Sequence, residues 1–110
     1  MKKKYTEFTD KERKAIYERD DYKCVIPNCN NNFGLGIAHV FVSRAKGGKG
    51  VRQNGVLLCQ HHHHILDNGH NAKEQEKIDG FVRYYLFRLY PDVKLQDLKF
   101  DKWEMYAIKG

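Results

Sequence analysis

No aspartate or glutamate occurs between Asp21 and Asp67, although Lys23, Arg44, Lys46, Lys49 and Arg52 all fall in that interval. Nothing in this stretch repels a polyanion. The whole chain carries a net charge of +6 and a pI near 9.2, which favours an anionic partner. Charge alone does not choose among nucleic acid, a membrane surface and an acidic protein. Long apolar runs are also missing; none approaches the roughly 20 residues that a bilayer-spanning helix needs. The opening MKKKYTEFTDKERK lacks an apolar h-region. That predicts no secretory signal and a cytoplasmic location. Internal repeats, linkers and low-complexity tracts are absent, so residues 1–110 read as one small domain. At that size a metal staple is a common aid to folding.

Cysteine is scarce and odd in number: Cys24, Cys29 and Cys59 cannot all pair with one another. They sit close to histidines, which favours metal over disulfide and fits a reducing compartment. Four residues separate Cys24 from Cys29, and His62 follows Cys59 by three positions. Two such hooks can supply four tetrahedral ligands, and a thiolate and imidazole set suits a closed, structural Zn²⁺ site. His61 or His64 replaces His62 if the local helix starts elsewhere. The competing reading is three buried cysteines acting as small apolar side chains. Three cysteines at two hook positions argue against it.

The elements can be placed from local signals. Thr9 and Glu12 have capping-box spacing ahead of KERKAIYERD, predicting a short helix that ends near Asp20–Tyr22, with Ile16 and Tyr17 on its apolar side. CVIPNC reads as a turn and NNNFGLG as a loop. Gly36–Val42 is rich in β-formers, SRAKGGKGVRQNG predicts a basic loop free to move, and VLLC predicts a second strand. QHHHHILDNG then opens a short helix that Gly69 closes. Asn71 and Glu74 repeat the cap spacing before a longer helix over Ala72–Leu89, whose Ile78, Phe81, Val82, Tyr85 and Leu89 form one stripe. Pro91 stops simple continuation. Leu95, Leu98, Phe100 and Trp103 in the tail are expected to pack back on the core.

His39 thus lies in the first strand, Asn54 just before the second, and His63 at the start of the following helix. That order, with AHVFVSRAKGG, QNGVLLC and HHILDNG, resembles the HNH endonuclease family. The likeness covers Cys24–Gly69, and YYLFRLYPD ahead of LKFDKW is similar to the tail of small phage and prophage HNH proteins. The resemblance implies an α+β fold with a ββα-metal core and zinc knuckles, flanked by an N-terminal helix and a longer C-terminal one. It implies metal-dependent hydrolysis of DNA phosphodiesters, leaving 5′-phosphate and 3′-hydroxyl ends. Phage proteins of this type are often linked to genome packaging, so packaging proteins are implied partners.

The chemistry suits those roles. Neutral imidazole at His39 can take a proton from water near physiological pH. A divalent ion can stabilise charge on the phosphoryl and leaving oxygens. Asn54 can bond a histidine or a backbone group and fix ring orientation. His63 can hold the metal, and Asp67 falls one turn later on the same helical face. A hard carboxylate there favours Mg²⁺ or Mn²⁺. Many HNH enzymes place Asp, Glu or His immediately before the first histidine; here that residue is Ala38. The metal is then held by His63 and Asp67 with water and phosphate oxygens, or by His39 itself, or only weakly. The first fits the His63–Asp67 spacing best. Arg44, Lys46, Lys49 and Arg52 can meet DNA phosphates, with glycines allowing close backbone approach. Nothing resembles a base-reading code, which predicts weak sequence preference. Two rivals remain: a zinc-stapled DNA-binding module without activity, and a protein-interaction adaptor using the Trp103 tail.

Overall fold

The computed structural model describes residues 6–68 and 71–99. The expected turn at Gly69 and the packing of Phe100 and Trp103 lie outside these residues. The fold is α+β. Helix α1 covers Asp10–Arg19, strands β1 (Gly36–His39) and β2 (Gly55–Leu58) form an antiparallel pair, and helices α2 (Gln60–Asn68) and α3 (Ala72–Leu89) follow. Short 3₁₀ turns occupy Arg44–Lys46, Arg52–Asn54 and Leu95–Leu98. The strand–strand–helix order expected of a ββα-metal core is present. Among the described residues no helix is long and apolar enough to cross a membrane.

Local chemistry explains the helices. The Thr9 hydroxyl accepts from the Glu12 amide at 3.2 Å, and the Asn71 side chain accepts from the Glu74 amide at 3.2 Å. Each satisfies an amide that a helix start leaves without a partner. On α3 the buried residues are Ile78, Val82 and Leu86, while Leu89 is exposed. The stripe is therefore one residue different from the sequence reading: Leu86 faces the core, and Leu89 sits past the end of the packed surface.

The hairpin register is Gly36↔Leu58, Ile37↔Leu57, Ala38↔Val56 and His39↔Gly55. Alternation along each strand splits these residues between two faces. Ala38, Val56 and Leu58 join Val40, Cys24, Cys59, Ile78, Val82 and Leu86 in the core under α3. Burying each large aliphatic side chain there contributes roughly 1.5–3 kcal/mol. Ile37, His39, Gly55 and Leu57 share the opposite face. The segment Thr6–Phe8 crosses that face. A Cβ on Gly50 would run into the backbone of Glu7 and Phe8, and one on Gly55 would meet the Phe8 ring at 2.7 Å. Glycine at these two places is a requirement of close approach.

Strand β1 ends at His39, three residues before the expected Val42. The cause is Asn54, whose side chain takes the place of a partner strand. Its Oδ1 accepts from the amides of Phe41 (2.8 Å) and Val42 (3.2 Å), and its Nδ2 donates to the carbonyls of Val42 (3.0 Å) and Lys49 (3.1 Å). The basic loop is accordingly folded back, with Gly47, Gly48 and Gly50 buried. Its far end is tied to the tail: the Lys49 amide donates to the Leu98 carbonyl at 2.7 Å, and Gly48 bridges Lys99. Leu98 is buried as expected; Leu95 is exposed.

A second tie joins α1, β2 and α3. Arg19 forms a two-pronged pair with the buried Asp20 at 2.7 and 2.9 Å. Asp20 also accepts from the Leu57 amide (2.9 Å) and the Tyr85 hydroxyl, so its charge is fully partnered. Arg19 donates onward to the carbonyls of Arg52 and Gly55. This network fixes the hairpin against both flanking helices.

Candidate metal centre and adjoining cleft

Cys24, Cys29, Cys59 and His62 converge, with all four ligand atoms within 4.8 Å of one another. The Asn28 backbone lies in the left-handed region (φ 66°), which lets CVIPNC reverse direction and return Cys29 towards Cys24. The Cys29 amide closes this knuckle on the Ile26 carbonyl. The second knuckle is the start of α2, where the Cys59 carbonyl accepts from His63 and the His62 amide points at the Cys59 sulfur.

The spacing fits zinc. Zn–S bonds near 2.3 Å and Zn–N bonds near 2.0 Å at tetrahedral angles place S···N pairs about 3.5 Å and S···S pairs about 3.8 Å apart. His62 Nδ1 lies 3.5, 3.5 and 3.2 Å from the sulfurs of Cys24, Cys29 and Cys59, and Cys29 lies 3.9 Å from Cys59. The group could therefore hold zinc through Nδ1 of His62 and three thiolates. Burial pushes the Cys24 thiol up to about 12 in the absence of a cation. Burial, with a smaller push from His61, lowers His62 below its usual value, so it presents the neutral ring that a metal requires.

On the other side of α2, one helical step of about 100° away, His63 faces a cleft. The cleft has a volume of about 540 Å³. Its chemistry-bearing walls are His39, His63, Asp67, Arg44, Glu7 and Arg13. His63 Nε2 and Asp67 Oδ2 are 3.1 Å apart, as expected for residues one turn apart. His39 comes in from β1, and its Nε2 lies 2.9 Å from the Thr6 carbonyl. A carbonyl only accepts, so Nε2 carries the hydrogen and Nδ1 keeps the lone pair. The Phe8 ring packs on the imidazole with centroids 4.8 Å apart. Burial lowers the affinity of His39 for a second proton, while the Thr6 contact opposes this in part.

Three expected residues, His39, His63 and Asp67, thus share one cleft. Asn54 lies apart from the cleft, wholly buried, and its four hydrogen bonds run to backbone groups. Ala38 is on the core face and 1% exposed, so this position does not line the cleft. Of the four basic residues, Arg44 reaches the cleft and lies 3.7 Å from Glu7. Arg52 is engaged elsewhere: Glu12 accepts from its backbone amide (2.7 Å) and from two guanidinium nitrogens (3.2 and 2.9 Å). Lys46 and Lys49 are on the loop, the first exposed and the second half-buried.

Sequence reasoning missed Thr6, Glu7, Phe8 and Arg13. No spacing rule links residues 6–13 to His39. The one trace in the sequence is the glycine at 50 and 55, where the Thr6–Phe8 strap needs room.

These features define an α+β fold with a ββα core, a Cys₃His group suited to zinc, and a histidine-lined cleft beside it. No protein-family model matches the chain, and no curated protein matches it. Among solved structures it is similar to the Type IV phosphorothioation-dependent restriction endonuclease ScoMcrA, with a TM-score of 0.55 and 23% identity. The likeness covers 74% of this chain and 20% of that one, and it is a likeness of fold.

Proposed function

We infer that this protein is a metal-dependent endonuclease of the HNH type that hydrolyses DNA phosphodiester bonds with little sequence preference. The observation that carries the reading is the bond from His39 Nε2 to the Thr6 carbonyl, beside His63 and Asp67 in one cleft. That bond fixes the tautomer in which Nδ1 can accept a proton from an attacking water. His63 and Asp67 would hold Mg²⁺ or Mn²⁺, which stabilises charge on phosphoryl and leaving oxygens when bound. Hydrolysis would leave 5′-phosphate and 3′-hydroxyl ends. Arg44 can approach phosphate by exchanging its loose, exposed contact with Glu7 for a stronger one. Lys46 and Lys49 add charge without reading bases. Arg52, already paired with Glu12, acts by holding the loop. Asn54 shapes the same loop through the backbone. The Cys₃His group binds zinc and sets the start of α2, and so the position of His63. ScoMcrA being an endonuclease supports the reading at the level of fold.

A second reading, a zinc-stapled DNA-binding module without activity, is favoured by one observation. Among the described residues no third histidine, cysteine or carboxylate closes in on His63 and Asp67. The deciding experiment is plasmid nicking with Mg²⁺, Mn²⁺ or EDTA, with wild type and His39→Ala side by side. Metal-dependent nicking lost in the variant supports the enzyme. No nicking by wild type on any DNA form leaves the binding module.

A further inference from the structure

Arg13 stands outside the metal-binding part of the chain, on the exposed side of α1, and it lines the same cleft as His39, His63 and Asp67. Its surroundings differ from those of every other arginine. Arg19 is paired with Asp20, Arg44 with Glu7, Arg52 with Glu12 and Arg83 with Asp79, while Arg88 bonds the Tyr84 hydroxyl. Among the described residues Arg13 has no carboxylate or hydroxyl partner. Its guanidinium lies 5.9 Å from the centre of the Tyr17 ring, one turn further along the helix. Such a contact can steady a cation and leaves its in-plane donors available.

The charges around the cleft sharpen the point. Glu7 offsets Arg44, and His63 meets Asp67, so among the described residues Arg13 is the arginine of the cleft left without a counter-ion. A planar guanidinium with free donors matches the two non-bridging oxygens of a phosphodiester. The cleft falls in the size range of small-ligand pockets, enough for a phosphate and part of its flanking sugars. We propose that Arg13 is a phosphate-binding residue of this site, clamping the phosphodiester that His39 and His63 face. The proposal rests on the nuclease reading for its substrate, and deepens it by assigning the oxyanion contact to a helix that precedes the zinc knuckles.

The position of α1 supports this assignment. The strap Thr6–Phe8 leads directly into the helix, and its fit over Gly50 and Gly55 anchors the helix start beside His39. Arg19 and Asp20 pin the other end to β2 and α3. The Arg13 backbone is therefore held at both sides, and only the side chain remains to adapt to a ligand.

The test compares Arg13→Gln, Arg13→Lys and Lys14→Gln in the full chain. Lys14 is exposed on the same helix and away from the cleft wall. Zinc content and melting temperature should match wild type in all three, because both side chains are exposed. In a nicking assay Arg13→Gln should lose about 10- to 100-fold in kcat/KM, Arg13→Lys should recover part of that, and Lys14→Gln should change it less than about twofold. Calorimetric Mn²⁺ affinity should be unchanged in Arg13→Gln. If Arg13→Gln nicks as well as Lys14→Gln while His39→Ala is dead, the phosphate role is overturned and the nuclease reading stands. If wild type does not nick, the nuclease reading falls, and Arg13 is judged by duplex binding measured by fluorescence anisotropy. Arg13→Gln should then bind at least tenfold more weakly than Lys14→Gln. Equal losses from the two variants overturn the proposal in that case too.

Discussion

His39 and Thr6 are 33 residues apart, yet the ring nitrogen of one meets the carbonyl of the other at 2.9 Å. The contact selects the tautomer with Nδ1 unprotonated. It also places the ring against Phe8, where burial disfavours the charged imidazolium.

The first prediction concerns pH. The shift lowers the affinity of His39 for protons, so the neutral form, the active one under the proposed mechanism, persists as pH falls below the usual value of 6.5. Cleavage should be flat through neutrality and decline only below that value. His39→Ala should cost about 10²–10⁴-fold in rate and leave Mn²⁺ and DNA affinity nearly intact. A pH–rate profile with calorimetry checks both; an acid limb centred above 6.5, or loss of Mn²⁺ binding in the variant, contradicts the base assignment.

The second concerns zinc. Elemental analysis should give about one zinc per chain. A buried Cys24 thiol pushed up to about 12 must lose its proton when the metal enters, so affinity should fall as pH drops. Cys24→Ser should lower the melting temperature, and zinc should no longer raise it. A zinc-free protein that melts at the same temperature as the loaded one rules the site out as a staple.

The third concerns Asn54. Asn54→Ala leaves two amides and two carbonyls without their partner in a wholly buried place. The expected loss is about 2–4 kcal/mol of stability. Urea unfolding measures it. A loss below about 0.5 kcal/mol, within the range of ordinary surface changes, would show that the loop does not depend on this side chain.

The fourth separates the basic residues. Replacing Lys46 and Lys49 by glutamine should weaken binding to all duplexes alike and lower the salt slope by about 2. Arg52→Ala should act mainly on stability, since Glu12 then loses both guanidinium contacts and keeps only the backbone amide. The Arg52 hydrogen bond holds the Glu12 carboxyl below its usual 4.5. Its contribution is therefore complete above 4.5 and lost as pH falls through the lowered value. Wild type should gain over Arg52→Ala at neutral pH, and the gap should close in acid. A gap that widens in acid contradicts the pairing.

What could be read from the sequence was what short-range chemistry decides. Thr9 with Glu12 and Asn71 with Glu74 each mark a helix start within four residues. The Cys24–Cys29 and Cys59–His62 hooks likewise carry their ligand geometry in their spacing. The end of β1 was not legible, because Val40–Val42 have strand-like side chains while their hydrogen bonds go to Asn54, a residue whose reach depends on the folded loop. Leu86 and Leu89 changed places for a similar reason: the stripe is periodic, but where the packed surface stops is set by neighbours. The cleft was half visible. His39, His63 and Asp67 announced themselves, whereas Thr6, Phe8 and Arg13 arrive by a long-range crossing that no local pattern encodes.

Gly50 and Gly55 have no side-chain atoms to offer a proton, a metal or a phosphate. Both nevertheless bear on the surroundings of His39, because a methyl group at Gly50 would press on the strap backbone at Glu7 and Phe8, and one at Gly55 would push on the Phe8 ring that packs against the imidazole. In a saturation screen scored only by nicking, these two silent positions would rank beside the histidines.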